Sequence, residues 1–503
     1  MESQSIIGHR YKVVFLGVIL LAGAIACAYT FDSKLALLGD NASYYMLGKS
    51  IAQGEGYVNI SKITKSPNNH YPPGYPFIIS IVLLVTDSIV VVKLLNCLFM
   101  LGSLVIGFLL MARLTSNYIT AFVAAMLTAL NSHVLFYSSL MMSEVPYMFF
   151  SLLVLYFISE KGGTLTLWSR MFIAAIITMV IAYYVRSLGV ALLAALCLHF
   201  VLNGQYRLML VSIAAMVVGA LPWFLRGRAL GGASYLNQLK MINPYNPSLG
   251  EAGVGDFVDR FWNNFSRYVT REIPDAIFPH SPLYNEEISG REWLFGIILL
   301  TVITLGLIRL SHFRWLILGY MLATFGILMI WPDVWIGVRF IVPMVPLLWL
   351  GFLSGFYYLF TLIRAQSQVS SVVNYAPLIL TVLLVSPLAE LHKQANASYP
   401  PAWQRYFEIA EWLDKNEEGA VISCGKPSLF YTFADNYTMR YKFSRDTNEL
   451  IAHLEKQQVD YVVIDQVYGN TFQYLLPAVR QHPERFKQVL HLKNPDTFLL
   501  KFD

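Results

Sequence analysis

The stretch Gly39–Tyr57, GDNASYYMLGKSIAQGEGY, leads into NNHYPPGYP at 68–76 and decides how this chain is read. It follows the first apolar run of membrane length, about Val13 to Tyr29. Tyr44, Leu47 and Ile51 recur at helical spacing, and Gly54 and Gly56 stop the run. The spacing predicts a short helix near 41–53, just beyond a first membrane crossing. The next apolar run, Pro76–Val85, is too short to cross and predicts a second helix near 76–85 lying in the interface. Asp40 heads the first of these helices and has two compatible readings. As an N-cap it would accept from the N–H groups of Ala42 and Ser43. As a general base it would sit near a membrane wall, where partial desolvation raises a carboxyl into a useful range.

The rest of the chain supports a membrane context. Of 503 residues 56% are hydrophobic and 13% charged, against roughly 25% charged in soluble domains. Apolar runs at 13–30, 89–112, 118–136, 144–159, 170–185, 188–203, 207–225, 293–310, 315–331, 340–362 and 373–391 predict a mainly α, polytopic membrane protein with about eleven transmembrane helices. The first run is long for a signal peptide and is expected to remain as an anchor. The net charge is +5, but Lys and Arg are scattered singly, which argues against a nucleic-acid partner. Cys27, Cys97, Cys197 and Cys424 have neither disulfide-framework nor zinc spacing.

Arg10, Lys12, Arg113, Lys161, Arg207, Arg309, Arg314 and Arg364 fall at the start and in alternate short loops. The positive-inside rule then puts the N-terminus in the cytoplasm, with loops 31–88 and 226–292 and the tail outside. The expected location is the cell (inner) membrane, with a periplasmic tail. Residues 1–391 are expected to form the transmembrane catalytic domain and 392–503 an extracytoplasmic α/β domain. Within the tail, helices are expected at 402–416, 446–457 and 471–481. Strands are expected at Ala420–Cys424, Met439–Phe443, Tyr461–Asp465, Lys487–Leu492 and Thr497–Phe502.

Several chemistries are excluded by what is missing. LGKS at 47–50 ends like a P-loop, but the first glycine of that motif falls on Ser43. There is no HExxH, no GxSxG and no Asp-x-Asp. What remains is a set of polar groups that one topology places on the outer side. His70 precedes Tyr71-Pro72-Pro73-Gly74-Tyr75, either a rigid turn with interface tyrosines or a histidine facing an anionic leaving group. Glu144, in SSLMMSEVPYMFF, stands at a helix start where an acid is electrostatically favoured. Arg186, in YYVRSLGV, and Asp333 and Arg339, in WPDVWIGVRFIVPMVP, sit at span ends, where a snorkelling arginine is the plain alternative. Five Asn-x-Ser/Thr sequons, at Asn41, Asn59, Asn264, Asn396 and Asn436, are not read as used, since a glycan on Asn41 would block Asp40.

An acid after the first span, an amphipathic helix, a Pro-Pro turn, Ser143-Glu144 at a later helix start and Arg339-Phe340-x-x-Pro343 together resemble the GT-C glycosyltransferases. The likeness is to bacterial members such as aminoarabinose transferases of lipid A, Rgt-type transferases and protein O-mannosyltransferases. It covers about 10–350 through topology and is specific at 38–77, 140–147 and 335–346. The resemblance implies the GT-C fold, a polyprenyl-phosphate sugar donor, an extracytoplasmic site and a catalytic acid at Asp40. His70, Arg186 and Arg339 would then bind the donor phosphate. Asn41, Tyr44, Tyr71, Tyr75, Glu144 and Asp333 would line the substrate. Many relatives carry Asp-Glu where this chain has Asp40-Asn41, and aminoarabinose transferases carry Lys-Pro-Pro where it has Tyr71-Pro72-Pro73. No cofactor is indicated, a divalent metal stays open, and the acceptor is a lipid, glycan or protein. The rival readings are a transporter or flippase of lipid-linked sugars and an inactive assembly subunit.

Overall fold

Apolar helices fill most of the expected spans. The computed structural model describes residues 2–160, 165–231, 235–246, 249–280, 282, 284, 286–364 and 380–503. Among these, five helices are long and apolar enough to cross a membrane: Tyr11–Thr30, Ile89–Thr115, Tyr206–Leu230, Gly290–Ile308 and Val342–Leu362. The shorter apolar helices Glu144–Ile158, Arg170–Val185, Ser187–Leu202 and Arg314–Ile330 occupy further expected runs. The run at 118–136 is not straight. It is a pair of helices, Tyr118–Ala129 and Ser132–Ser138, bent by 59°. Asn131 causes the break, because its side chain accepts from the Val134 N–H and so starts a new helix. The expected span at 373–391 lies outside the described residues over 373–379; the chain is helical again over Val385–Asn396.

The chain divides into two compact units, between which the residues of loop 31–88 are shared. The first comprises Met1–Ser33, Asn69–Tyr75 and Val90–Ala395; the second comprises Lys34–Asn68, Pro76–Ile89 and Asn396–Asp503.

Glycines let two helices of the first unit come into backbone contact. Gly351 and Gly355 on Val345–Arg364 face Gly306 on Gly290–Ile308. A Cβ on Gly306 would collide with the Gly351 carbonyl, and one on Gly355 with the Val302 carbonyl. In lipid, where apolar tails compete with apolar side chains, such backbone contact is what holds helices together.

The second unit is built on a five-stranded sheet: β1 (Val421–Ser423), β2 (Tyr437–Met439), β3 (Tyr461–Ile464), β4 (Phe486–Leu492) and β5 (Thr497–Phe502). The order is β2-β1-β3-β5-β4; β2, β1 and β3 run parallel, and β5 and β4 are antiparallel. Four strands fall close to their expected positions. The strand expected at Met439–Phe443 is instead Tyr437–Met439: Tyr441 leaves the ladder for the core, where its hydroxyl meets Thr471 Oγ1 at 3.0 Å. A helix at Pro427–Ala434 has no counterpart among the expected elements; proline in its first turn is its sequence mark.

The helices expected near 41–53 and 76–85 form at Gly39–Ala52 and Gly74–Leu83. The former packs on the C-terminal segment of the same unit. Met46, Ile60 and Tyr431 share a small core, and Lys49 pairs with Asp435 at 3.1 Å. The Thr438 N–H on edge strand β2 donates to the Ser61 carbonyl at 2.7 Å, which covers an otherwise open edge.

Candidate active site

Three residues from distant parts of the first unit meet in one ion cluster. Glu144 opens helix Glu144–Ile158 and is wholly buried. Its Oε1 receives Arg186 Nη1 at 2.9 Å and Arg339 Nε at 3.1 Å. Arg186 also donates to Ser143 Oγ at 3.1 Å. Both guanidiniums lie over the Phe340 ring, at 5.7 and 5.1 Å. One carboxylate oxygen thus serves both guanidiniums. Arg186 is the deeper cation, with 10% of its side chain exposed, against 30% for Arg339. A carboxylate holding two guanidiniums in fixed geometry is a preorganised site for an anionic oxygen.

The backbone around this cluster is fixed by tight packing. Arg186 is extended, φ −155°, between helix Arg170–Val185 and the turn Ser187–Gly189. A Cβ on Gly74 would come within 2.5 Å of Tyr184 C, so the Pro-Pro-Gly turn abuts the chain just ahead of Arg186. Tyr75 is fully buried and donates to Asn96 Oδ1 at 3.0 Å, while Asn96 Nδ2 donates to the Met142 carbonyl at 2.9 Å. This relay anchors the loop that enters Ser143-Glu144.

A second charged group in the same unit escaped the sequence reading. Residues Tyr268–Glu272 form a π-turn, whose wider register brings positions five apart together. Arg267 Nε thereby reaches Glu272 Oε1 at 2.6 Å. Arg267 also donates to the Asp333 carbonyl at 2.8 Å, and Asn263 Nδ2 lies 3.4 Å from Asp333 Oδ2. Burial raises the Glu272 carboxyl above its ordinary value, against the opposing pull of Arg267. Next to this turn, buried Asp275 meets His133 at 3.1 Å and His280 at 3.7 Å. Burial pushes the Asp275 carboxyl up, but the two histidines and the His280 N–H outweigh it, and it lies below its ordinary value. Tyr137 lies in the field of Glu144, Arg339, Arg186 and Asp275. Lys93, also unforeseen, is wholly buried, donates to the Asp32 carbonyl and lies 5.8 Å from the Phe31 ring centre.

The other expected site residues are placed as follows. His70 Nδ1 is 3.3 Å from Gln238 Nε2, and its ring stands edge-on to buried Tyr71 at 4.4 Å. Asp40, Asn41 and Tyr44 belong to the second unit. The helix starts at Gly39 with Leu38 as its N-cap, so half-buried Asp40 stands in the first turn rather than at the cap. A first-turn carboxylate still faces the positive helix end. Asn41 is wholly buried, with Nδ2 3.4 Å from the Ala36 carbonyl, and Tyr44 is buried on the same helix. Buried Asn264 donates to the carbonyls of Leu328, Met329 and Trp331 at 3.1, 3.0 and 2.9 Å, and Asn436 is buried too. In this fold the sequons at Asn41, Asn264 and Asn436 have no room for a glycan. Among the described residues, no three His, Cys, Asp or Glu side chains gather as a metal set.

At the level of sequence, no protein-family model and no curated protein sequence matches the chain. Its fold does match solved structures. The oligosaccharyltransferase of Archaeoglobus fulgidus, tethered to an acceptor peptide with an NVT sequon, aligns with a TM-score of 0.59 at 12% identity, over 97% of this chain and 74% of that one. ArnT from Cupriavidus metallidurans, bound to undecaprenyl phosphate, aligns with a TM-score of 0.59 at 12% identity, over 97% of both chains. The chain has the GT-C fold that these enzymes share, in a mainly α membrane protein with a small C-terminal sheet.

Proposed function

We propose that the chain is a membrane glycosyltransferase that moves a sugar from a polyprenyl-phosphate carrier to an acceptor hydroxyl on a lipid, glycan or protein. The observation that carries this reading is the buried Glu144 carboxylate holding the guanidiniums of Arg186 and Arg339 together in one cluster. The GT-C fold, seen with undecaprenyl phosphate in the ArnT structure, supports the choice of a lipid-phosphate donor.

In this mechanism Asp40 takes the proton of the acceptor hydroxyl. The hydroxyl oxygen bonds to the anomeric carbon, the bond from that carbon to the phosphate oxygen breaks, and the electron pair leaves with polyprenyl phosphate. One displacement inverts the anomeric centre. Arg339 and Arg186 stabilise the charge that grows on the leaving phosphate, and Glu144 keeps their guanidiniums aimed. His70 is a further phosphate contact, and Asn41, Tyr44, Tyr71, Tyr75 and Asp333 are assigned to substrate binding. The reaction takes place at the extracytoplasmic face of the cell membrane, where lipid-carried sugars replace nucleotide sugars as donors, and residues 392–503 lie on that side.

Liposomes test the reading against a flippase. The purified chain, given labelled polyprenyl-phosphate sugar and acceptor, should release polyprenyl phosphate and label the acceptor. A donor that crosses the bilayer and is recovered intact would make the protein a transporter.

A further inference from the structure

The second unit contains a cavity of about 640 Å³, apart from the ion cluster of the first unit. Its size is that of a small-molecule site. Among the described residues four basic ones line it, Lys62, Arg440, His453 and Lys456, and no Asp or Glu does; the Arg440 guanidinium also reaches the Phe443 and Tyr468 rings, at 5.7 and 5.6 Å. Three acids of the same unit have their own cations: Glu55 pairs with Lys65 at 2.9 Å, Glu449 with Lys442 at 2.5 Å and Glu455 with Arg485 at 2.7 Å, though Glu449 also pulls the His453 imidazole upward. Among the described residues, Lys62, Arg440 and Lys456 form no ion pair. Burial, followed by the charges of Lys442 and Lys456, holds the His453 imidazole below its ordinary value, a local sign of the same positive field. Collecting like charges around a concavity costs stability unless an anion joins them.

The remaining lining is amphipathic. Met46 and Leu47 offer an apolar wall, and Thr64, Ser428 and Gln457 offer hydroxyls and an amide. A sugar ring, with C–H faces and hydroxyl edges, matches that mixture. The wall also includes Ser43, which lies three residues after Asp40 on helix Gly39–Ala52, with Leu47 seven after. These spacings share one helix face.

We propose that this cavity binds an anionic carbohydrate, a sugar bearing a phosphate or carboxylate, one helical turn from Asp40. As an acceptor site it rests on the glycosyl-transfer reading; as a binding site it does not. The test is isothermal titration of the full chain in nanodiscs, without lipid-linked donor, using glucuronate, glucose 1-phosphate, glucose and inorganic phosphate. The two anionic sugars should bind, with glucose and phosphate each weaker by about tenfold or more. Arg440→Gln and Lys456→Gln should each weaken glucuronate by about tenfold at unchanged thermal midpoint, and Arg440→Lys should restore most of the loss. Arg405→Gln, which removes a charge paired with Glu408 at 2.7 Å outside the cavity, should change nothing. Equal binding of glucose or of phosphate, or indifference to Arg440 and Lys456, would overturn the site. Absent binding together with Asp40-dependent transfer overturns the cavity and spares the transferase. Charge-dependent binding without any transfer supports the cavity and overturns the transferase.

Discussion

Replacing Glu144 with Gln should lower both the stability and the turnover of the chain. The residue is wholly buried, and its carboxylate receives Arg186 and Arg339 at 2.9 and 3.1 Å. Gln keeps the shape and removes the charge, so the two guanidiniums lose the carboxylate that holds both of them. Breaking a buried pair in this way costs about 3–5 kcal/mol, because the stranded charge stays desolvated. The thermal midpoint of the purified protein should fall. A double replacement, Glu144→Met with Arg186→Met, removes the stranded charge at the deeper arginine and should recover much of that midpoint, while turnover stays lost. If the double variant regains turnover as well, the cluster is a packing feature and not part of a phosphate site. If the single variant changes neither midpoint nor turnover, the ion cluster has no role.

Asp40→Asn should have the larger effect on chemistry and a small one on folding. Asp40 is half-buried in the first turn of helix Gly39–Ala52, where Asn fits the same space. The cost to the helix end is about 0.3–1 kcal/mol from the lost charge near the positive dipole. Loss of a general base lowers turnover by about 10²–10⁴-fold. Donor affinity should hold, because the phosphate contacts are assigned to other residues. Retained turnover in a purified assay would remove Asp40 from the mechanism. A loss that appears only as a raised donor KM would recast it as a binding residue.

The parts of the molecule that were legible in the sequence are those governed by local pattern. Runs of apolar residues mark the membrane helices, and the helical spacing of Tyr44, Leu47 and Ile51 places the first helix of loop 31–88 within two residues of its observed start. Short segments rich in β-forming residues place four strands of the sheet. Glu144, Arg186 and Arg339 were each visible as charges at helix ends, but their meeting was not, since it joins positions 195 residues apart. Likewise the pairing of Lys49 with Asp435, across 386 residues, has no local signature. The π-turn at Tyr268–Glu272 was missed for a different reason. Arg267 and Glu272 are five apart, whereas sequence reasoning seeks charge pairs at three or four. The polar stretch DFVDRFWNNFSRYVTRE, at 256–272, then reads only as part of the loop 226–292. Asp40 moved from cap to first turn because Gly39 already adopts helical geometry, a shift within the usual uncertainty of helix boundaries.

The central claim is a single displacement at the anomeric carbon of a lipid-linked sugar. Its most direct test is the anomeric configuration of the product, read by nuclear magnetic resonance, when the purified chain acts on a polyprenyl-phosphate sugar of known configuration. The account predicts an inverted centre in the glycosylated acceptor, with one polyprenyl phosphate released per transfer. A retained configuration, or a donor recovered unreacted, would contradict it.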